Sequence, residues 1–314
     1  MSMPPSQPPP GAEPEHPFEP VHAAAAPVPL DDDDTRGAHL RALLRHPVTI
    51  SLTISGVIAG FVIGTLAAGA PIGGAAAGGV LVLALIIVWV LASGRAKEDF
   101  LNAYAGARGL VRQGKGDLAP MTPLLQRGDR RYASERMTGH LAGVEPGTLA
   151  HYTYEVRSTD SEGNQETTYY HFTVGICSVP ESAVKAGELY CQRRFGFRFL
   201  DGFEDAFRRK QRVEVESEVM DKRFETFADA DADPNWLRQL FSPSFIVWLG
   251  EQAPKDFAFE LVAGGLVANV KGHLDSAAEL DAFCEATATV AKRLREESVE
   301  QPVGGPTPGA APPA

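Results

Sequence analysis

The sequence predicts an α+β protein in which a two-helix transmembrane hairpin precedes a cytoplasmic domain of antiparallel sheet plus helices. Three observations support this prediction. Residues 48–92 carry no charged side chain, several later stretches alternate apolar and polar residues, and an apolar stripe at helical spacing closes the domain. Several strands followed by one long C-terminal helix also suit a PH-like barrel, which we keep as a fold-level analogy.

The chain begins with a segment, residues 1–36, that we expect to be disordered. Proline, alanine and the run of aspartates at 31–34 dominate it, and its apolar content is too low to form a core. A short basic helix over 37–47 is expected to rest at the membrane interface. Residues 299–314, rich in proline and glycine, predict a second disordered tail.

Residues 48–92 are predicted to form the transmembrane hairpin. A hydrocarbon core roughly 30 Å thick needs about 20 apolar residues, and each of the two uncharged runs is long enough. Pro71 and its neighbouring glycines are predicted to make the turn. Basic residues flank both ends of the pair of runs, and the turn has none, which predicts that both termini face the cytoplasm. The expected location is therefore the inner (plasma) membrane, with two passes.

Small residues recur at helix-packing spacing in both predicted spans. They are Gly56, Gly60 and Gly64 in the first span, and Gly74 and Gly78 in the second. Glycines at this spacing allow close approach of helices in lipid, so we expect the two helices to pack on each other. The same stripe could instead join copies of the chain in a homo-oligomer. No ionisable residue lies in either span, which argues against a proton relay or transport pathway.

A connecting helix and linker, residues 93–120, are predicted to lead to the α+β domain at 121–298. Alternation over 151–157 and 168–176 predicts one hairpin, and alternation over 257–261 and 266–270 predicts another. Ser276 and Glu279 have the spacing of a capping box, which predicts the start of the C-terminal helix. Its stripe runs from Leu280 to Leu294.

Three stretches between 211 and 294 resemble an uncharacterised family of bacterial membrane proteins. They are Val-Glu-Val-Glu-Ser-Glu-Val-Met-Asp-Lys-Arg-Phe-Glu-Thr-Phe at 213–227, Leu-Arg-Gln-Leu-Phe-Ser-Pro-Ser-Phe-Ile-Val-Trp-Leu at 237–249, and Phe-Glu-Leu-Val-Ala-Gly-Gly-Leu at 259–266. The chain departs from that pattern at Val219 and Met220, where such proteins tend to place an aromatic residue. The resemblance implies a membrane hairpin with a cytoplasmic domain, and it implies no reaction and no catalytic residue.

The sequence shows no motif of a catalytic, cofactor or metal site. It lacks a Gly-x-Ser-x-Gly elbow, a phosphate loop and a dinucleotide fingerprint, and its cysteines lack zinc-site spacing. We therefore expect no catalytic residue, no cofactor and no metal. An unrecognised hydrolase or transferase stays open as an alternative, and for it we would test Cys177, Cys191, His151 and His171.

A basic stretch interleaved with phenylalanines is the most unusual charge feature. Its cations are Arg193, Arg194, Arg198, Arg208, Arg209, Lys210 and Arg212, in a chain of net charge −11. The acidic remainder argues against nucleic acid as a partner, and anionic lipid at the bilayer is the preferred contact. The alternative is an amphipathic segment with core phenylalanines and solvated arginines.

The first functional hypothesis is a membrane-anchored, non-catalytic interaction protein that binds the bilayer and an unidentified protein partner. The runner-up is the hydrolase or transferase named above. A third hypothesis is an oligomeric pore lined by the glycine-rich helices, which the scarcity of polar side chains in the spans disfavours.

Overall fold

The structure of the chain is a computed structural model. It describes residues 18–21, 35–45, 92–159, 163–194, 210–213 and 217–299, and six single helical positions between 55 and 90. The helices are α1 (Arg36–Arg45), α2 (92–108), α3 (Pro123–Gln126), α4 (Ala183–Ala186), α5 (Glu218–Arg223), α6 (Pro234–Leu240), α7 (Pro243–Glu251) and α8 (Ala277–Val299), with a 3-10 turn at Pro180–Ser182. The strands are β1 (Val111–Arg112), β2 (Arg130–Leu141), β3 (Glu145–Thr159), β4 (Gln165–Ser178), β5 (Glu188–Arg193), β6 (Lys210–Arg212), β7 (Phe224–Asp229), β8 (Ala258–Val262) and β9 (Gly265–Lys271).

All described strands belong to one antiparallel sheet with the order β1-β2-β3-β4-β9-β8-β5-β7-β6. The predicted combination of an antiparallel sheet with helices is confirmed. The predicted PH-like barrel is not found, because the late hairpin β8–β9 is inserted between β4 and β5 in a nine-stranded sheet. Order along the chain predicts local hairpins, but it does not reveal where a late hairpin inserts.

One face of the sheet is covered by α2 and α8 together with α6 and α7, and this layer contains the main hydrophobic core. The closest approach is at Gly175 of β4. A Cβ atom there would lie 2.7 Å from Thr287 Oγ1 and 2.9 Å from Thr287 Cγ2 on α8. Only glycine therefore lets α8 lie this close to the sheet.

The opposite face carries a smaller cluster covered by α3. Leu124 and Leu125 pack there over Tyr152 and Val174. Glu260 is buried in the same layer, where its carboxylate accepts hydrogen bonds from the Leu124 backbone amide at 3.0 Å and from Gln192 Nε2 at 2.9 Å. Burial raises the pKa of Glu260 above its ordinary value.

The predicted start of α8 is confirmed at its capping box. Glu279 N donates to Ser276 Oγ at 3.3 Å, and Ser276 Oγ donates to the Glu279 carboxylate at 2.8 Å. Arg108 of α2 then binds Asp281 of α8 through two donors, and Tyr104 Oη donates to the same carboxylate at 3.0 Å. These contacts fix α2 against α8 above the sheet.

The predicted transmembrane hairpin is contradicted. In the part of the chain that the structure describes, no helix is both long enough and apolar enough to cross a membrane. The prediction of an inner-membrane location rested on that hairpin and is contradicted with it. Absence of charge and sufficient length are necessary for a spanning helix, but they do not establish one. In the adjoining described helix α2, apolar side chains such as Phe100 and Leu101 are buried in the protein core.

Several other predictions concern residues outside the described ranges. The five glycines of the packing stripe, most of residues 46–91, most of the N-terminal segment at 1–36 and the tail from 300 onward all lie there. The predicted basic helix over 37–47 corresponds to α1, Arg36–Arg45. Residues 93–120, predicted as a connector, contribute most of α2 and all of β1 to the helix and sheet layers.

Candidate functional site: a docked segment and a histidine cluster

A four-residue segment near the N-terminus, Phe18–Val21, is docked on the helical layer, and we call it the docked segment. The Phe18 ring packs edge-on against Phe245 of α7, with centroids 5.3 Å apart, and against Trp248 at 5.7 Å. Phe245 and Trp248 stack on each other at 5.6 Å. Phe18 therefore adds one more ring to an aromatic cluster whose other members, Phe245 and Trp248, are buried.

The backbone of the docked segment is held by side chains of α8. Val21 N donates to Thr289 Oγ1 at 2.9 Å, and Lys292 Nζ donates to the Glu19 carbonyl at 3.5 Å. These contacts involve main-chain groups that every peptide has, whereas the Phe18 ring supplies the selective contact. An aromatic anchor with main-chain hydrogen bonds is a recurrent way of binding an extended peptide.

Arg293 of α8 lies next to the Phe18 ring. Its guanidinium carbon lies 6.0 Å from the Phe18 ring centroid, and its side chain forms an ion pair with Glu297 at 2.6 Å. The same guanidinium donates to the Gln239 carbonyl and to Ser242 Oγ, at the end of α6. A cation at a helix C-terminus satisfies the last carbonyls and is favoured by the helix dipole.

The docked segment lies in one part of a longer groove along α7, and the rest of that groove is open. We call the position of the docked segment and the open part together the α7 groove. The open part has a volume of about 440 Å³, and its walls include Phe18, Pro20, Pro243, Val247, Trp248 and Gln252. Val247 is 45% exposed in this groove. The α7 groove thus continues past the Phe18 ring and has space for further side chains of an extended ligand.

Sequence reasoning missed this site. Residues 1–36 were expected to be disordered throughout, whereas the structure seats the docked segment against α7 and α8. The available signal was small: Phe18 is the one aromatic residue among residues 1–36, and prolines stand at 17 and 20. A lone aromatic side chain in a proline-rich arm is typical of an anchor for binding.

A second cluster joins three histidines on the α2-facing side of the sheet. His151 of β3 stacks on His273, which precedes α8, with ring centroids 4.6 Å apart and planes 5° from parallel. His171 of β4 meets His273 edge-on at 4.9 Å. Thr153 Oγ1 lies 2.9 Å from His171 Nδ1 and 3.4 Å from His273 Nε2. We call these residues the histidine cluster.

His151 is the unusual member of the histidine cluster. It is 2% exposed, and among the described residues neither ring nitrogen has a hydrogen-bond partner in good geometry, although the Leu274 backbone is close enough to favour the protonated ring. Burial, together with the nearby His273 and Lys97, lowers the pKa of His151 to about 3. Burial also lowers the pKa of His273 to about 4. Both rings are therefore neutral at neutral pH.

The described surroundings of the histidine cluster contain two cations and one carboxylate, Glu135, which pairs with His151 in the β2–β3 register and is bound by Arg112 through two donors. Lys97 of α2 and Arg36 of α1 both disfavour protonation of His151 and His273. Burial lowers the pKa of Lys97 itself. In the described residues, no group of three histidine, cysteine, aspartate or glutamate side chains is placed to hold a metal ion.

The cysteines named for the enzyme hypothesis lie away from these histidines. His151 pairs with Thr173, four residues before Cys177 on β4, which at about 3.3 Å per residue is roughly 13 Å. Cys177, Cys191 and the third cysteine, Cys284, are all buried. Burial raises the pKa of Cys191 to about 12 and of Cys284 to about 12, and it raises that of Cys177 as well. Such thiols are poor nucleophiles.

The described part of the basic stretch contacts protein groups. The Arg193 guanidinium carbon lies 4.2 Å from the Phe224 ring centroid, and burial lowers the pKa of Arg193. Lys210 is buried between Asp229 and Glu188, the latter at 2.9 Å. Arg194 pairs with Glu225 at 3.6 Å. Arg198, Arg208 and Arg209 lie outside the described ranges, and the predicted lipid contact of the stretch stays a prediction.

A further groove of about 650 Å³ lies at one end of the sheet. It is bordered by the β8–β9 turn, the start of β3 and the end of β4, with Met121, Ile176 and Val262 among its apolar walls. The structure places no segment of the described chain in it.

No family model, curated protein or solved structure matches this chain. The resemblance of residues 211–294 to an uncharacterised bacterial family accordingly stays a prediction.

Proposed function

We propose that this protein is a non-catalytic interaction module whose α7 groove binds extended peptide segments carrying an aromatic residue followed two positions later by proline. The observation that supports the proposal most is the docked segment, which has this chemistry and lies in the site. Phe18 packs on Phe245 and Trp248, and α8 holds the segment's backbone at both Glu19 and Val21.

The contacts set a modest expected affinity. Burying a phenylalanine contributes about 1.5–3 kcal/mol, each aromatic pair adds about 1 kcal/mol, and each neutral hydrogen bond adds about 1 kcal/mol. Association and ordering offset several kcal/mol of this sum. Since a Kd of 0.1 mM corresponds to about −5.5 kcal/mol, we take a Kd on the order of 0.1 mM as the tightest affinity expected for a separate peptide, typical of a transient interaction.

The enzyme alternative has weaker support. The buried cysteines have raised pKa values, and the register places Cys177 roughly 13 Å from His151 along the sheet. The pore hypothesis concerns residues 48–91, most of which lie outside the described ranges. The segment that binds in the groove can belong to another protein or to a second copy of this chain.

The test is a titration of the full-length Phe18→Ala chain with a peptide of residues 15–24. Removing the Phe18 ring vacates the anchor position, so the peptide should bind with a Kd of about 0.1 mM by calorimetry or anisotropy. A peptide in which the phenylalanine is replaced by alanine should bind at least tenfold more weakly, because the ring supplies the largest contact. Absence of binding at millimolar peptide would refute the proposal.

Two charge insertions provide a matched control. Val247→Glu places a carboxylate in the α7 groove, and Val184→Glu places one at a position that is 93% exposed and not part of the groove. Both sites are exposed enough for folding to survive. The first change, made in the Phe18→Ala background, should abolish peptide binding, and the second should leave it unchanged.

A further inference from the structure

The chain that follows the docked segment is attached to the fold a second time, just before the start of α8. Thr35 forms an antiparallel bridge with Ser276, and Arg36 N donates to the Asp275 carbonyl at 2.9 Å. Val21 is bonded farther along α8, at Thr289. Thr289 lies thirteen positions after Ser276, so at about 1.5 Å per helical residue the two attachment points lie about 20 Å apart.

The connection between these two points is longer than the distance it has to cover. Residues 22–34 join them, and at about 3.5 Å per residue an extended chain of this length reaches roughly 45 Å. The length of residues 22–34 therefore does not prevent the docked segment from leaving the α7 groove while Thr35 and Arg36 stay attached.

The docked contacts have a limited area and lie at the surface. Glu19 is exposed, and Phe18, Pro20 and Val21 are only partly buried, whereas Phe245 and Trp248 beneath them are buried in the fold. The aromatic bed of the groove is thus part of the core, and the segment above it adds one ring and two hydrogen bonds. Loss of the segment leaves that bed in place.

From these observations we infer that the docked segment is a built-in competitor that occludes the α7 groove and has to be displaced by any partner of the same chemistry. This inference rests on the proposed function, since it concerns the regulation of the same site. A tether of this length holds its end at an effective concentration in the millimolar range. Against a Kd on the order of 0.1 mM, that concentration weakens binding of a separate peptide by about tenfold.

Intramolecular occlusion also predicts how a partner gains access. A ligand that fills only the Phe18 position has to overcome the advantage that the tether gives the docked segment. A ligand that also fills the open part of the groove along Val247 and Gln252 makes contacts beyond the Phe18 position that offset this advantage. Partners longer than the docked segment are therefore favoured, and binding them should release residues 18–21.

The experiment compares the wild-type chain with the Phe18→Ala chain, both full length, using a fluorescein-labelled peptide of residues 15–24. Fluorescence anisotropy should give a Kd about tenfold weaker for wild type than for Phe18→Ala. Val184→Glu in the wild-type background should bind like wild type, and melting curves should show that all variants are folded.

The outcomes separate the two claims. Equal affinities of wild type and Phe18→Ala would overturn the competitor while leaving the α7 groove as a peptide site. No binding by either chain at millimolar peptide would overturn the proposed function and the competitor with it. Weaker binding by Phe18→Ala than by wild type would also overturn the competitor, because it would mean that Phe18 helps to build the site.

Discussion

The α7 groove and the histidine cluster both bring distant parts of the chain together through rings, and they differ in how their polar groups are satisfied. In the groove, the backbone of the docked segment has donors and acceptors on α8, and Arg293 is paired with Glu297. In the cluster, His151 is buried without a hydrogen-bond partner in good geometry among the described residues, the cations Lys97 and Arg36 disfavour its protonation, and the Glu135 carboxylate beside it is already paired with Arg112.

Because of this difference, the docked segment can be replaced by another peptide, whereas the contacts of the histidine cluster can only be broken. Removing the docked segment from the groove transfers the Phe18 ring, which is already partly exposed, and two main-chain groups to water. The rest of the fold can therefore stay intact. Protonating His151 places a charge in the core beside Lys97 and next to a carboxylate, Glu135, that is already paired with Arg112, and burial makes that charge costly. We therefore assign binding to the α7 groove and a pH-dependent structural role to the histidine cluster.

The largest expected effect is acid destabilisation through the histidine cluster. The folded-state pKa values of His151 (about 3) and His273 (about 4) lie below the ordinary value of 6.5, so the unfolded chain binds protons first as the pH falls. The stabilisation is complete above pH 6.5 and is lost as the pH falls toward 4 and 3. For the two rings, with His273 discounted for its partial exposure, the loss by pH 4 is on the order of 5 kcal/mol.

Urea unfolding between pH 7 and 4 measures this loss. His151→Leu should flatten the pH dependence by roughly 1.4 kcal/mol per pH unit below pH 6.5, and should leave stability at pH 7 unchanged or higher. His140→Gln, a change at an exposed histidine, is the matched control and should retain the wild-type slope. An unchanged slope in His151→Leu would contradict the assignment.

Sequence patterns predicted the local elements of the sheet better than either site. Alternation over 151–157 and 168–176 gave the β3–β4 hairpin, and the Ser276–Glu279 spacing gave the start of α8. These features are short-range, and their causes lie within a few residues. The insertion of β8–β9 beside β4 depends on long-range packing, which period-2 alternation does not encode.

The candidate sites were harder to predict for the same reason. His151 and His171 were both singled out from the sequence, but their meeting with His273 requires the β3–β4 register and the turn after β9. The contact of Phe18 with Trp248 spans most of the chain and has no local signature. The apolar run at 48–92 was misleading because hydrophobicity and length are shared by several kinds of structure.

A smaller effect, about 3 kcal/mol, is expected from Arg293, which supports the α7 groove. Arg293→Met removes the ion pair of the buried Glu297 carboxylate with Arg293 and one hydrogen bond to the Gln239 carbonyl. Thermal and urea unfolding should show the loss. The double variant Arg293→Met with Glu297→Gln should recover part of it, because the buried side chain at 297 is then neutral. Equal stability of the single and double variants would contradict the ion-pair account.

The smallest effect, about 1 kcal/mol, is expected from the hydrogen bond that holds the docked segment. Thr289→Val keeps the shape of the side chain and removes the acceptor for Val21 N. In the Phe18→Ala background it should weaken binding of the 15–24 peptide by about fivefold, with little change in melting temperature. Unaltered peptide affinity would show that the bound peptide does not follow the path of the docked segment.

The most direct test of the α7 groove is amide hydrogen exchange of residues 18–21 in the full-length chain, followed by mass spectrometry. The hydrogen bond from Val21 N to Thr289 Oγ1 should slow exchange in the wild-type chain, and Phe18→Ala should remove that protection. Saturating N-acetylated 15–24 peptide should remove it as well, because the peptide displaces the segment from the groove. Exchange in wild type as fast as in Phe18→Ala, or protection that survives saturating peptide, would contradict reversible docking in the α7 groove.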